Sequence, residues 1–372
     1  MKYFSLFILI FLFSYSCKNH DPVLEKNNPK KITTPIKGFK LTLGKPDLKS
    51  KFEDDTWSIW GGSMVKGSDG LYHMFYSRWE KALGWAWVTD SEIAHAVSKS
   101  PFGPFKFKDV ALPARGDNFW DGLCTHNPTI HKFDKKYYLY YMGNTGDAKT
   151  PTSPGNQILN PVHRNNQRIG VAVADSPYGP WKRFDTPLID VSPNKNALDA
   201  LMVSNPSITQ RPEGGYLMIY KAVGKEKSGI WGGPVVHCVA TSDHPTGPFK
   251  KYDKPVFQAK GHEFPAEDPF IWYQEGKYRA IVKDMHGAFT DAGRSLVLFE
   301  SEDGLDWKLS DHPLVSALEI NWTNGYKQNV HHLERPQLFI ENGKPIALLC
   351  AADIKDDENV IQSFNVQIPI LD

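Results

Sequence analysis

The 372-residue sequence predicts an all-β fold, a five-bladed β-propeller. Three observations carry it: a turn phrase repeated along the chain, a strand pair repeated upstream of that phrase, and high aromatic, Gly and Pro content together. The turn phrase runs Ala94–Phe105, Gly170–Trp181 and Cys238–Phe249, with a degenerate copy at Leu298–Trp307. Each copy reads as an apolar strand, a Pro/Gly turn such as Ser176-Pro177-Tyr178-Gly179-Pro180, and a second strand opened by an aromatic residue. Upstream, Asn127-Pro128 precedes Tyr137–Tyr141, Asn205-Pro206 precedes Tyr216–Tyr220, Asp268-Pro269 precedes Lys277–Val282, and Arg335-Pro336 precedes Pro345–Leu349. Aligned on the hairpin turn, Gly61-Gly62 before Tyr72–Tyr76 is the first member. The five starts are separated by 66, 78, 63 and 67 residues, enough for four strands per unit. The last unit lacks a fourth strand of its own, so residues 36–45 are expected to supply it and close the ring. No helical period competes over a comparable length.

Composition excludes several functions. Lys+Arg 43 against Asp+Glu 42 leaves +1, so there is no basic field to hold a nucleic-acid backbone. An aromatic content of 13% is incompatible with disorder. Four cysteines are too few for a disulfide scaffold and none has zinc spacing; Cys124, Cys238 and Cys350 read as small core residues. At the N-terminus Lys2, the apolar run Leu6–Phe13 and Ser14-Tyr15-Ser16-Cys17 read as a secretory signal. The Cys at its end resembles a bacterial lipobox, which implies a lipidated Cys17. Lys18 in place of Asp after it points to the outer membrane. The expected organisation is a signal at 1–17, a polar tether at 18–35 and a propeller catalytic domain at 36–372, with the lipid as the only membrane contact.

In a propeller the innermost strands enter from one face, and the loops from strand two to three and from blade to blade surround one pocket there. Those loops hold Trp79, Trp85, Trp87, Trp120, Trp231 and Trp322. Indole faces beside loop carboxylates suit sugar rings, so an oligosaccharide or polysaccharide is the expected partner.

The Asn/Asp-Pro strand starts, the Ser-Pro-x-Gly-Pro turns and two triplets, Glu267-Asp268-Pro269 and Glu334-Arg335-Pro336, resemble the five-bladed propeller glycoside hydrolases around family 43 and relatives such as family 117. The resemblance spans roughly residues 36–372. It implies glycosidic-bond hydrolysis by an Asp base, a second Asp that orients, and a Glu acid from a Glu-x-Pro triplet. No cofactor is required, and a structural cation in the central channel is compatible with it. The departures matter: blade one has Trp60-Gly61-Gly62 where the base belongs, and Asn127 and Asn205 cannot take a proton as a carboxylate does. Family 117 recruits a His, and His331 and His332 lie just before Glu334.

Asp268 and Glu334, at neighbouring axial strand starts, are therefore the first catalytic candidates, with Glu267 the alternative to Glu334. Adjacent side chains diverge on a strand, so one of Glu267 and Asp268 is expected to face substrate. Asp121 could replace the missing base, and His126, His331 and His332 could move protons or bind substrate. Trp60, Trp120, Asn127, Asn205, Asp284, His286 and Arg335 are expected substrate contacts. Glu92, His95, Arg78, Lys221 and Lys283 fall near the same rim, the three cations suiting an acidic sugar or plain salt bridges. The expected function is an exo-acting, inverting glycoside hydrolase. A lipid-anchored glycan-binding protein without catalysis, or a phosphorylase or lyase on the same scaffold, stands as the alternative.

Overall fold

The computed structural model describes residues 38–150, 159–355 and 361–371. Cys17 and the tether at 18–35 lie outside the described residues. Five antiparallel sheets follow one another along the chain as the blades of a β-propeller. Blade one is built from Trp57–Lys66, Tyr72–Glu80, Glu92–Ser98 and Lys106–Leu112, each paired with the next. Blade three runs Met202–Gln210, Tyr216–Val223, Val235–Ser242 and Lys250–Lys251, and blade four Ala266–Gln274, Lys277–Asp284, Ser295–Ser301 and Lys308–Ala317.

Blade two departs from four regular strands. Cys124–Phe133, Lys136–Asn144 and Arg168–Ala174 pair normally, but the outer edge is reduced to single bridges at Lys182 and Ile189. Pro187 has no N–H for a ladder between them. Residues 183–187 instead meet the connection between blades one and two, where the Phe184 carbonyl accepts from Trp120 Nε1 at 3.1 Å.

Blade five consists of His332–Glu341, Lys344–Lys355 and Ile361–Leu371, and its outer edge comes from the other end of the chain. Thr42–Leu43 pairs with Ile370 and Leu371, and Lys51–Phe52 with Asn365 and Val366. The expected closing strand is therefore present, shorter than residues 36–45. Between blades four and five a hairpin, Glu319–Asn321 with Lys327–Asn329, fills the connection. An apolar cluster separates each neighbouring pair of blades, as alternating strands with two buried faces require. Cys124, Cys238 and Cys350 are free and buried in the interior.

Candidate active site at the propeller axis

Each innermost strand carries the same irregularity. Its pairing slips between Trp60 and Ser63, His126 and Thr129, Ser204 and Ser207, Glu267 and Phe270, and Glu334 and Gln337. At each slip one residue is left-handed: Gly61 (φ 59°), Asn127 (52°), Asn205 (50°), Asp268 (53°) and Arg335 (53°). Asn and Asp tolerate that region better than most side chains, which explains why they recur here. A bulge re-aims the side chains around it. Both Glu267 and Asp268 consequently line the cavity, correcting the expectation that one would turn away.

The five bulged positions form a ring across the axis. Asn127 Nδ2 donates to Asn205 Oδ1 at 2.8 Å, and Asn205 Nδ2 donates to Asp268 Oδ1 at 2.7 Å. Arg335 donates from its backbone N to Asp268 Oδ2 and from Nη1 to Oδ1, both at 3.3 Å, and from Nη2 to the Asn127 carbonyl at 3.4 Å. A Cβ on Gly61 would lie 3.4 Å from both Arg335 Cγ and Asn127 Oδ1. A Cβ there would make ordinary contacts, so what favours glycine at this position is its left-handed backbone, packed beside the blade-five arginine. A fixed guanidinium at this point does not fit a structural cation in the channel. Among the described residues no three His, Cys, Asp or Glu side chains are grouped to hold a metal ion.

On this ring sits a cavity of about 210 Å³. Blade one contributes Trp60, Trp79, Trp85 and Trp87; blade two His126, Leu159 and Gln167; blade three Lys221; blade four Glu267 and Lys283; blade five His332 and Glu334. Trp85 meets Trp60 edge-on at 5.7 Å and lies nearly parallel to the His332 ring at 6.4 Å. Trp85 and Trp87 are half-buried, which leaves aromatic surface for a ligand.

The opposite wall is charged. Glu267 accepts from Lys221 Nζ at 2.5 Å and from Lys283 Nζ at 3.2 Å, and Lys283 Nζ also donates to Glu334. Burial opposes ionisation of Glu267, but the two ammonium groups outweigh it and hold the carboxyl below its usual range. Glu334 shifts the other way: burial raises it against the pull of Lys283, and the negative charges of Asp268 and Glu267 add to the rise. Asp268 is also raised by burial, with Arg335 opposing. Behind Glu334, His332 Nδ1 lies 2.9 Å from Asp353 Oδ2, while Nε2 is 4.0 Å from Glu334 Oε1. The Asp353 contact raises the affinity of His332 for a proton.

Other expected residues are placed elsewhere. Asp121 is fully buried beneath blade two, accepting from Arg115 Nε at 2.7 Å and from the Tyr141 hydroxyl at 2.6 Å, and Trp120 stacks on Tyr141. Asp284 caps its own loop, accepting from the backbone N–H groups of His286, Ala288 and Phe289. His286 lies beside His262 and does not line the cavity. Arg78 and Glu92 pair with each other at 2.8 Å, Arg78 sandwiched by Trp57 and Phe107. His95 is buried against His73 inside blade one. His331 is exposed. Trp322 is buried in the core, its Nε1 donating to Gln328.

The reading of the sequence missed the pairing that organises the charged wall. Glu267 and Lys283 are register partners, as are His332 and Asp353. Cross-strand pairs of this kind become visible once a hairpin's register is assigned. Gln167 carried no comparable signal.

No protein-family model matches the chain, and no functionally curated protein is similar to it in sequence. Solved structures do match. A family 117 glycoside hydrolase of the marine bacterium Zobellia galactanivorans is 17% identical, with a TM-score of 0.56 over 89% of this chain and 90% of its own. A structure described as a glycoside hydrolase is 13% identical, with a TM-score of 0.61 over 87% and 92%. An endo-arabinase from Bacteroides thetaiotaomicron is 15% identical, with a TM-score of 0.53 over 89% and 99%. At these identities the likeness shows a shared fold.

Proposed function

We propose that this chain is a glycoside hydrolase of the propeller type that releases a terminal sugar at the axial cavity. One observation carries the reading. Glu267 and Glu334 share the Lys283 ammonium, yet their surroundings push their proton affinities apart, beside a wall of tryptophans. Pairs of titratable groups driven apart in this way mark acid and base assignments. Glu334, raised by burial, is the general acid that protonates the leaving glycosidic oxygen. Glu267, kept ionised by two lysines, stabilises positive charge developing at the anomeric carbon. His332, anchored by Asp353, exchanges protons with Glu334 between turnovers. Asp268 holds Arg335 in the ring and places Glu334 one residue upstream of it. Trp85 and Trp87 stack against the sugar.

The cavity of about 210 Å³ is smaller than the roughly 300–1,000 Å³ of drug-sized ligand sites, which favours a chain end over an internal stretch. Glu267 and Glu334 bracket one ammonium, closer than the roughly 6.5–9.5 Å that admits an activated water between two carboxyls. An inverting reaction therefore needs its base on another wall. The rival reading, a glycan-binding protein, draws on the side-chain-free Gly61 and the absence of a lining carboxylate from blades one to three among the described residues.

Incubation with a panel of oligosaccharides, with and without phosphate and read by product mass, tests both. Release of a terminal sugar with addition of water supports the hydrolase. A sugar phosphate identifies a phosphorylase, an unsaturated product a lyase, and binding without turnover the binding protein. Lipid attachment through Cys17 at the outer membrane belongs to the same proposal, placing the cavity among glycans outside the cytoplasm.

A further inference from the structure

We propose that His126 is the base that activates the attacking water, set across the axis from Glu334; this rests on the hydrolase reading above. The residue preceding each bulged position is Trp60, His126, Ser204, Glu267 and Glu334 in blade order. In a ring of five, blade two stands across from blades four and five. All the lining carboxylates come from those two blades. Among the described lining residues of blades one and two, His126 is the one titratable side chain.

Its position suits the task. Nδ1 lies 2.7 Å from the Ser91 hydroxyl oxygen, and the ring stacks on Trp87 at 4.9 Å with Trp79 at 5.9 Å, so its orientation is fixed. Among the described residues no protein group hydrogen-bonds Nε2, although the side chain lines the cavity. Burial, and then the positive charge of Arg335, keep the imidazole neutral and lower its affinity for a proton, so the role rests on its position. When Ser91 accepts from Nδ1–H, Nε2 carries a lone pair toward the cavity.

The reaction balances without a further reagent. Water oxygen bonds to the anomeric carbon as its proton passes to His126 Nε2. The bond from that carbon to the glycosidic oxygen breaks, and the Glu334 carboxyl proton moves to the departing oxygen. The products are a hemiacetal of opposite anomeric configuration and the shortened chain. Protonated His126 and ionised Glu334 are restored by proton exchange with solvent. This answers the absence of a blade-one carboxylate: the base has moved one blade along.

Two measurements test it. Long-range ¹⁵N–¹H NMR of the imidazoles at neutral pH, assigned with His126→Gln, reads the tautomer without any substrate. A neutral ring protonated on Nδ1 is expected; protonation on Nε2 overturns the proposal. With the oligosaccharide cleaved in the panel, His126→Ala should cut turnover by about 10²–10⁴-fold, the usual scale for a general base. Added sodium azide should restore reaction as a glycosyl azide of inverted configuration, and Glu334→Gln should show no such product. Wild-type turnover in His126→Ala, or retained configuration in the wild-type product, overturns it. A wild type that cleaves no glycan removes the hydrolase reading and the base together. A wrong tautomer in an active enzyme removes the base alone.

Discussion

The side chains at the axis divide by what satisfies them. Asp268 is 4% exposed at the side chain, accepts from Asn205 and Arg335, and has no oxygen free of the ring. Glu334 faces the cavity with Lys283 as its ion-pair partner and His332 nearby. Substitutions should separate these roles. Glu334→Gln should cut turnover about 10²–10⁴-fold on a natural glycosidic bond, the scale of a general acid. The loss should shrink on an aryl glycoside whose leaving group needs no proton, a comparison that steady-state kinetics supplies. Asp268→Asn leaves the buried Arg335 charge without its counter-ion, a change that costs about 3–5 kcal/mol for buried pairs. A depressed denaturation midpoint is expected there, and an unchanged one would show that the ring tolerates a neutral partner. Gly61 belongs to the same set. Read as a sequence it is a missing catalytic residue, but in the structure it takes the left-handed backbone of the ring position, which glycine adopts without strain, beside Arg335.

At the scale of elements, the bulge and the closing strand do most to build the site. In blades two, four and five the bulge brings two consecutive residues to the cavity, so ring and cavity wall are written side by side in the sequence there. Closure depends on a short segment. Leu41, 6% exposed, packs into the core between blades four and five, and Phe39 beside it covers the Arg279 guanidinium at 4.0 Å. Its β-pairing is only two residues long, so apolar packing supplies most of the attachment. Leu41→Ala should therefore cost about 2–5 kcal/mol, the range for buried Leu truncations, read as a lower midpoint in urea. An effect no larger than that of a surface substitution would mean that blade five is complete without this segment.

For the molecule as a whole, the ring sets which blades can cooperate. Neighbours four and five share Lys283 between their glutamates, and blade two faces them across the cavity. The tryptophan wall comes from blade one alone, which puts the proposed stacking surface beside His126 and His332. The proposed hydrolase would act on glycans outside the cytoplasm, where the proposed anchor at Cys17 would hold it. Cys17→Ser should move the protein from the membrane fraction to the soluble extract. Continued membrane partition with palmitate labelling would refute the lipobox.

The sequence by itself determined the propeller. Repeats of strand, turn and Asn/Asp-Pro are local signals, each set by backbone preference and alternating burial, and five copies leave one architecture. It also brought Asp268 and Glu334 forward as candidates, because they sit at repeated strand starts, while Glu267 and His332 came forward through the resemblance to families 43 and 117. Only the tertiary structure decided which candidates meet. Trp120, Asp121 and His286 lie in loops, and Asp284 at the strand end that opens one; the paths of those loops follow from packing rather than period, and packing turns these residues away from the axis. The roles of Lys283, Asp353 and Arg335 depend on contacts across strands and across the ring. Charge and burial at a site are sums over neighbours distant in sequence, and those neighbours exist only once the ring has closed.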